Sequence, residues 1–261
     1  MTTALQIARS GLDALDQRMK TISNNLANVS TTGFKRDRAS FASLMYQDDR
    51  SPGAASGVDT QYATGLGTGT GVRIVGTERI HQQGTLIQTD NALDLAIDGA
   101  GFFAVQLPDG TQGFTRDGGF KLSATGEVVT ASGLRLAQPL VIPDGASQIV
   151  VAPDGTITAA VAGQPAPVEV GQLQLSRFLN PAGLMPLGDN LYRETAGSGP
   201  ATIGVAGQVG MGQLRQGMLE GSNVSTVQEL VDMIETQRAY EINAKVINAA
   251  DEMSRYVVQN V

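Results

Sequence analysis

The sequence predicts an α+β protein in which long N- and C-terminal α-helices form a coiled-coil-like assembly domain around a central all-β domain. Apolar residues recur in steps of three and four at both chain ends, short β-branched runs fill the middle, and a Gly-rich stretch follows the first helix. We therefore expect a helical domain from residues 1–46 and 221–261, a linker or extended arm at 47–71, and an outer β domain at 72–220.

The first helix carries a narrow apolar stripe of the a/d type, by which one helix binds another. At ~1.5 Å per residue, a helix from Thr3 to Asn28 is about 39 Å long. Gly33 is expected to close this segment, because glycine readily takes the left-handed conformation found at helix ends. The predicted stripe consists of Leu5, Ala8, Leu12, Leu15, Met19, Ile22, Leu26 and Val29.

The end of the chain predicts a second long helix. Ser225 and Gln228 have the spacing of a capping box, and no Gly or Pro occurs between Ser225 and Val261. The apolar stripe of this helix is interrupted by Arg238 and continues through Ala249 and Val257. Its assembly residues are Val227, Val231, Ile234, Ile242, Val246 and Met253.

The two predicted helices differ in charge. Basic residues outnumber acidic ones six to three in residues 1–38, and acidic residues outnumber basic ones seven to three in residues 220–261. Such helices suit each other and also suit further copies of the chain. The alternative is a pair of ordinary amphipathic helices packed on one core.

The region 72–220 has the pattern of an all-β domain with turns at short intervals. Five Asp-Gly pairs predict turns, because Gly supplies a positive φ and Asp tolerates one. They lack the alternating acids and distal Glu of a calcium loop. The predicted strands are Val72–Thr77, Thr85–Gln88, Leu93–Ile97, Phe102–Leu107, Glu127–Thr130, Ile149–Ala152, Thr156–Ala160, Val168–Leu175 and Gln213–Leu219.

Composition excludes several classes of protein. The formal net charge of -7 argues against nucleic acid or an anionic membrane as partner. The absence of cysteine excludes disulfides and thiolate metal sites. No stretch approaches the ~20 apolar residues of a membrane span. Gln6, Arg9 and Asp13 interrupt what would be the apolar core of a signal peptide, so any export is expected to retain the N-terminus.

The sequence predicts no catalytic, cofactor-binding or metal-binding residue, and hence no enzyme. The one histidine, His81, is expected at a surface or interface, since a single histidine cannot build a His-rich metal site. The glycines of 67–71 lack the strand–turn–helix context of a dinucleotide site, and no nucleophile elbow or phosphate loop is present.

Several separated blocks resemble the bacterial flagellar rod and hook proteins, the axial family. Between the chain ends, residues 77–84, 94–103 and 114–118 are similar to the β domain of that family, and 220–224 to the start of its C-terminal segment. The motif residues of the two end blocks are Ser23, Asn24, Asn25, Leu26, Ala27, Asn28, Gly33 and Phe34, and Gln237, Arg238, Ala239, Tyr240 and Glu241.

The resemblance implies a structural subunit of the distal rod, which polymerises helically into the hollow drive shaft that crosses the periplasm and transmits motor torque to the hook. Implied partners are further copies of the chain, adjacent rod and hook-family proteins, the surrounding ring proteins and the type III export apparatus, with neither cofactor nor membrane insertion. The terminal helices are expected to form the inner tube wall. A proximal rod subunit, or a fibre-like binding module oligomerised by its helices, remains the alternative.

Overall fold

The computed structural model describes residues 2–54, 61–161, 166–208 and 210–259. The chain divides into two compact units. The helix–ribbon unit combines Met1–Leu26, Asp37–Glu78 and Ser225–Val261, and the β unit combines Ala27–Arg36 with Arg79–Val224. The architecture is therefore α+β, with helices at both ends of a mostly β chain.

The two helices are α1, Thr2–Ala27, and α2, Thr226–Gln259. Gly33 does not close α1 as expected, because the helix ends at Ala27. Asn28 and Thr31 form a turn there, with the Thr31 N–H donating to the Asn28 carbonyl at 3.2 Å and the Thr31 hydroxyl to the Asn28 Oδ1 at 3.1 Å. Such side chains compete with helical hydrogen bonding.

A β-ribbon completes the helix–ribbon unit. Strand β1 (Asp37–Ser43) pairs with β4 (Val72–Arg79), and β2 (Gln47–Arg50) pairs antiparallel with β3 (Leu66–Thr68). The stretch predicted as a linker or arm thus contains two short strands, and the strand expected to open the β domain instead pairs with β1. Residues 55–60 of this stretch, including Gly57, lie outside the described residues.

The ribbon lies along α1. At one end the Asp37 N–H donates to the Asn25 Oδ1 at 2.9 Å, and at the other the Val72 N–H donates to the Ser10 Oγ at 3.2 Å. The fifteen helical residues from Ser10 to Asn25 span about 22 Å, close to the ~23 Å of seven extended residues. The ribbon therefore covers α1 over much of its length.

The β unit is built of short strands in small sheets. The pairs are β5–β19, β6–β18, β9–β10 and β14–β17, with a three-stranded sheet β11–β12–β13 and a four-stranded sheet ordered β15–β16–β8–β7. The strands are β5 Leu86–Gln88, β6 Leu95–Asp98, β7 Phe103–Gln106, β8 Gln112–Thr115, β9 Lys121–Leu122, β10 Val128–Val129, β11 Ala146–Val151, β12 Thr156–Val161, β13 Val168–Gln172, β14 Gln174–Arg177, β15 Met185–Gly188, β16 Leu191–Arg193, β17 Thr202–Val205, β18 Gln213–Gln216 and β19 Met218–Glu220.

Four of the five predicted Asp-Gly turns have the expected positive φ at their glycines, Gly99, Gly110, Gly145 and Gly155. Gly118 differs, because a Cβ there would collide with the Leu95 carbonyl, so this position needs space rather than a left-handed backbone.

Two apolar clusters hold the β unit together. The larger includes Ile97, Phe103, Leu175 and Leu214, all essentially inaccessible to solvent. The smaller contains Phe102, Phe114, Phe178 and Tyr192 with their rings packed edge to face. Among the described residues, no helix is both long and apolar enough to cross a membrane.

Candidate assembly site

The two terminal helices pack side by side and antiparallel. Near the C-terminal end of α1, the Asn25 Nδ2 donates to the Glu229 Oε2 at 3.2 Å, and near its N-terminal end Gly11 lies beside Asn243. Between these points Arg18 pairs with Asp232 at 3.4 Å, joining the basic helix to the acidic one as the charge pattern predicts. This ion pair is partly exposed and contributes little, ~0–1 kcal/mol.

The predicted stripe of α1 lies beside, and not on, the side of the helix that contacts α2 through Gly11, Arg18 and Asn25. Ala8 and Ile22 are buried, and the other helical members are half-buried. Val29 lies beyond the end of the helix. The opposite side of α1 is exposed and polar, as at Arg9, Asp13 and Lys20. The half-buried members are Leu5, Leu12, Leu15, Met19 and Leu26.

The predicted stripe of α2 is exposed to solvent. The exposed fraction ranges from 45% at Val231 to 74% at Val227, and Ile234 lies between them at 50%. Ile242, Val246 and Met253 are likewise exposed.

The side of α2 that faces α1 is a different one. Two residues on it, Glu229 and Thr236, are buried. The half-buried residues at the same helical spacing are the polar Asp232 and Asn243 and the apolar Ala239, Ile247 and Ala250. Each residue turns about 100° around a helix axis, so the apolar stripe lies roughly opposite this face. The chain therefore has a long apolar helix surface that no described part of it covers.

The motif residues of the two end blocks divide between buried and exposed positions. Asn25 is buried and joins three elements, since its amide also donates to the Asp37 carbonyl at 2.9 Å. Gly33 and Phe34 are buried within the β unit, while Leu26, Asn28 and Ala239 are half-buried. The exposed motif residues are Ser23, Asn24, Ala27, Gln237, Arg238, Tyr240 and Glu241.

The β unit contains a buried ionic cluster of Lys35, Arg116 and Glu220. The Lys35 Nζ donates to the Glu220 Oε1 at 2.5 Å, and the Arg116 Nη1 to the Glu220 Oε2 at 3.3 Å. Side chains of Lys35 and Glu220 are fully buried. Burial lowers the pKa of Lys35, and the Glu220 carboxylate opposes that shift. The Gly84 N–H donates to the same carboxylate at 2.9 Å.

Asn223 extends the same network by hydrogen bonds to backbone groups. Its Nδ2 donates to the Ile80 carbonyl at 2.8 Å, and its Oδ1 accepts from the Arg36 N–H at 2.7 Å. The Gly33 N–H donates to the Glu220 carbonyl at 2.8 Å. The three segments 33–36, 80–84 and 220–223, which carry the chain into and out of the β unit, are thus tied to one another.

His81, which was expected at a surface or interface, is half-buried within the β unit. Its ring packs edge-on against Phe102 and Tyr192, with centroid distances of 5.5 and 5.4 Å. Burial, followed by the positive charges of Lys35 and Arg79, lowers the pKa of His81 to about 3. The imidazole is therefore neutral, and it serves as a packing element of the aromatic cluster.

Sequence reasoning missed the Lys35–Arg116–Glu220 cluster. All three residues lie in blocks that carry the family resemblance, but they come from widely separated parts of the chain and no local spacing links them. Among the described residues, no group of three or more His, Asp or Glu side chains is placed to hold a metal ion.

Three stretches of the chain match known protein families. Residues 5–35 match the family described as "Flagella basal body rod protein", and residues 96–159 match the "Flagellar hook protein FlgE/F/G D1 domain". Residues 215–260, which include most of α2, match "Flagellar basal body rod FlgEFG protein C-terminal".

Similarity to individual proteins extends over the whole chain. The flagellar basal-body rod protein FlgG of Buchnera aphidicola (Acyrthosiphon pisum) is 51% identical over 259 residues, covering 99% of this chain and 100% of that protein. The chain belongs to the flagellar basal-body rod family. Its members are structural components, so this rod-family chain is not an enzyme and assembles with other flagellar proteins into the rod of the basal body.

Two rod proteins of Caulobacter vibrioides distinguish branches within this family. The FlgG of that organism is 44% identical over 251 residues, covering 96% of both chains. The FlgF of the same organism is 34% identical over 264 residues, covering 100% of this chain and 98% of its own. The rod-family chain is therefore more similar to the FlgG than to the FlgF of one organism.

Proposed function

We propose that this protein is a structural subunit of the flagellar distal rod, where copies of it polymerise helically into the shaft that transmits torque to the hook. The observation that carries this proposal is the difference in identity to the two Caulobacter proteins, 44% to FlgG against 34% to FlgF. It favours the distal rod over the proximal rod for this chain.

The exposed apolar stripe of α2 supports polymerisation. Its residues Val227, Ile234 and Ile242 are at least half exposed in the single chain, although each belongs to a long helix with a regular apolar spacing. Fully burying one such side chain contributes ~1.5–3 kcal/mol. A polymer that covers the stripe in every subunit gains this free energy of burial at each subunit added. Contacts between two different surfaces do not close into a dimer and so generate an open helical assembly.

The ribbon has a related role in the proposal. A two-stranded ribbon is only marginally stable on its own in water. This one exposes Tyr46, Leu66 and Val75, by 62%, 54% and 59%. We expect the ribbon to bind a neighbouring subunit and thereby stiffen the outer part of the shaft.

The remaining expectations follow from membership of the rod family. Adjacent rod and hook-family proteins and the surrounding ring proteins are the proposed partners, and the flagellar export apparatus is the proposed route of secretion without a cleaved signal peptide. The proposed location is the periplasmic part of the rod.

Deletion of the gene in its source bacterium tests the function. If basal bodies isolated from the deletion strain carry a truncated rod without a hook, the distal rod assignment holds. A stump that ends nearer the inner membrane would assign the protein to the proximal rod. Complete flagella would refute a role in the rod and leave the fibre-like binding module.

A further inference from the structure

A recess lies on the surface of the helix pair in the helix–ribbon unit. Its volume is about 330 Å³, and the side chains of Leu15 and Met19 from α1 and of Tyr240 from α2 form its apolar part. Asp16 and Glu241, both exposed, add carboxylates to the lining. The recess therefore combines an apolar floor with an acidic rim.

The C-terminal turns of α2 extend beyond α1. The helices have 34 and 26 residues, and their antiparallel register, with Asn25 beside Glu229 and Gly11 beside Asn243, places Thr2 level with about residue 252. The segment from Met253 to Gln259, here called the overhang, is thus helical without α1 beside it. Met253 is 61% exposed.

The overhang matches the recess in chemistry. After Glu252 the side chains are largely apolar, and the one charged side chain among them is Arg255. Arg255 is exposed and pairs with Asp251 at 3.3 Å, and Asp16 in the recess pairs with Lys20 at 2.7 Å. Exposed i,i+4 pairs of this kind contribute only ~0.3–0.5 kcal/mol, so either partner is readily exchanged for a charge on another chain.

The overhang cannot reach the recess of its own chain. Thirteen helical residues separate Tyr240 from Met253, which is about 20 Å along an unbroken helix. An overhang that occupies this recess therefore belongs to a second copy.

We propose that the overhang of one copy docks in the Leu15–Met19–Tyr240 recess of the next, with Met253 on the apolar floor and Arg255 against Glu241. This inference rests on the proposed function as a polymerising rod subunit and names the contact. The contact is heterologous, because the two surfaces are different, and it does not close on itself. If neighbouring copies are parallel, they are offset by about 20 Å along the helix axis.

Paired cysteines test this contact cleanly, because the chain has no cysteine of its own. In the Met19→Cys/Met253→Cys variant the two positions of one chain are about 27 Å apart along the helices, far beyond the ~7 Å that a disulfide allows between Cα atoms. Any disulfide therefore joins two copies. The matched control is Asp13→Cys/Met253→Cys, which moves the first cysteine to the exposed polar face of α1.

After mild oxidation, basal bodies from motile cells carrying the Met19→Cys/Met253→Cys variant should give a ladder of linked subunits on a non-reducing gel, and those carrying the control pair should not. Motile cells without a ladder, or with equal ladders in both strains, would overturn the docking contact while leaving the rod function intact. Complete flagella in the deletion strain would instead overturn the rod function itself.

A charge exchange covers the case in which the cysteine pair prevents assembly. Arg255→Glu should reduce the sedimentable polymer several-fold, because it places a third carboxylate against the acidic rim. Adding Glu241→Arg should restore polymer to near the original level. Failure of the second substitution to restore polymer would overturn the contact.

Discussion

Replacing Glu220 with Gln is expected to destabilise the β unit strongly. The substitution keeps the shape of the side chain but removes the one carboxylate that faces both Lys35, at 2.5 Å, and Arg116, at 3.3 Å. Lys35 and Glu220 have no accessible side-chain surface, and Arg116 has 5%. Water therefore cannot reach the cluster to solvate it, and the Lys35 and Arg116 cations remain buried without a counter-ion.

The expected loss is ~3–5 kcal/mol, the usual cost of removing one partner of a buried ion pair. For a unit of this size, ~1 kcal/mol corresponds to roughly 2–4 °C in the unfolding temperature, so Tm should fall by about 6–20 °C. Scanning calorimetry of the purified monomer measures this directly. Adding Lys35→Met to Glu220→Gln should recover part of the loss, because the double variant has one fewer unpaired cation.

The matched control is Arg135→Gln, which breaks the pair of Arg135 with Glu127 at 3.1 Å in the same unit. The Arg135 side chain is 64% exposed, so we expect a change within ~1 kcal/mol. If Glu220→Gln lowers Tm no more than this control does, the buried cluster does not stabilise the β unit as argued. A Lys35→Met substitution whose loss simply adds to that of Glu220→Gln would refute the charge explanation.

Three further predictions concern other parts of the chain. Because the folded pKa of His81 is about 3 while the unfolded value is near 6.5, the unfolded state binds a proton first, and stability should fall as pH drops from 6.5 towards 3. The loss at pH 5 should reach up to about 2 kcal/mol in urea unfolding, and His81→Gln should flatten this dependence. Ile234→Asp or Leu12→Asp should abolish polymerisation, measured by sedimentation, without shifting the calorimetric transition of the β unit, whereas Ile234→Leu should polymerise normally. Gly33→Ala should lower the free energy of unfolding by at least ~1 kcal/mol more than Gly110→Ala does. Both glycines have positive φ, but only at Gly33 would a Cβ lie 2.7 Å from a backbone atom, so equal losses of stability in the two variants would contradict this.

The local patterns predicted both helices and part of the strands, because these patterns have a physical cause nearby. They missed β1 to β3, β8, β9 and β15 to β17, and they joined β13 to β14 and β18 to β19 into single strands. Thr156–Ala160 is predicted as a strand and β12 spans Thr156–Val161, since β-branched residues and a preceding Asp-Gly turn act within a few residues. The patterns that predict the two helices also act over short distances in the sequence. The span expected for α1, Thr3 to Asn28, agrees with the observed Thr2–Ala27 to within one residue at each end. The closing role expected of Gly33 was wrong, because Asn28 and Thr31 bond to each other and the helix ends before Gly33 is reached.

Contacts between distant segments had no such signal. Lys35 and Glu220 are 185 residues apart, and nothing in either neighbourhood predicts that the two charges meet in a buried site. The face of α2 that packs on α1 was also missed, because Glu229, Thr236 and Asn243 are polar and produce no hydrophobic periodicity. The apolar period of α2 instead marks the surface left exposed in the single chain.

The division of α2 into two faces explains how one helix can serve both the subunit and an assembly. A polar face with specific hydrogen bonds, such as that of Glu229 with Asn25, fixes the register of the helix pair within the chain, because a shift by one turn would leave buried polar groups unpaired. An apolar face is less selective in register but contributes more free energy over its length. The opposite arrangement would let the monomer bury its apolar stripe and leave little to drive addition of the next copy. In the proposed assembly, the polar contact within the chain is thus what keeps the apolar stripe available for the next copy.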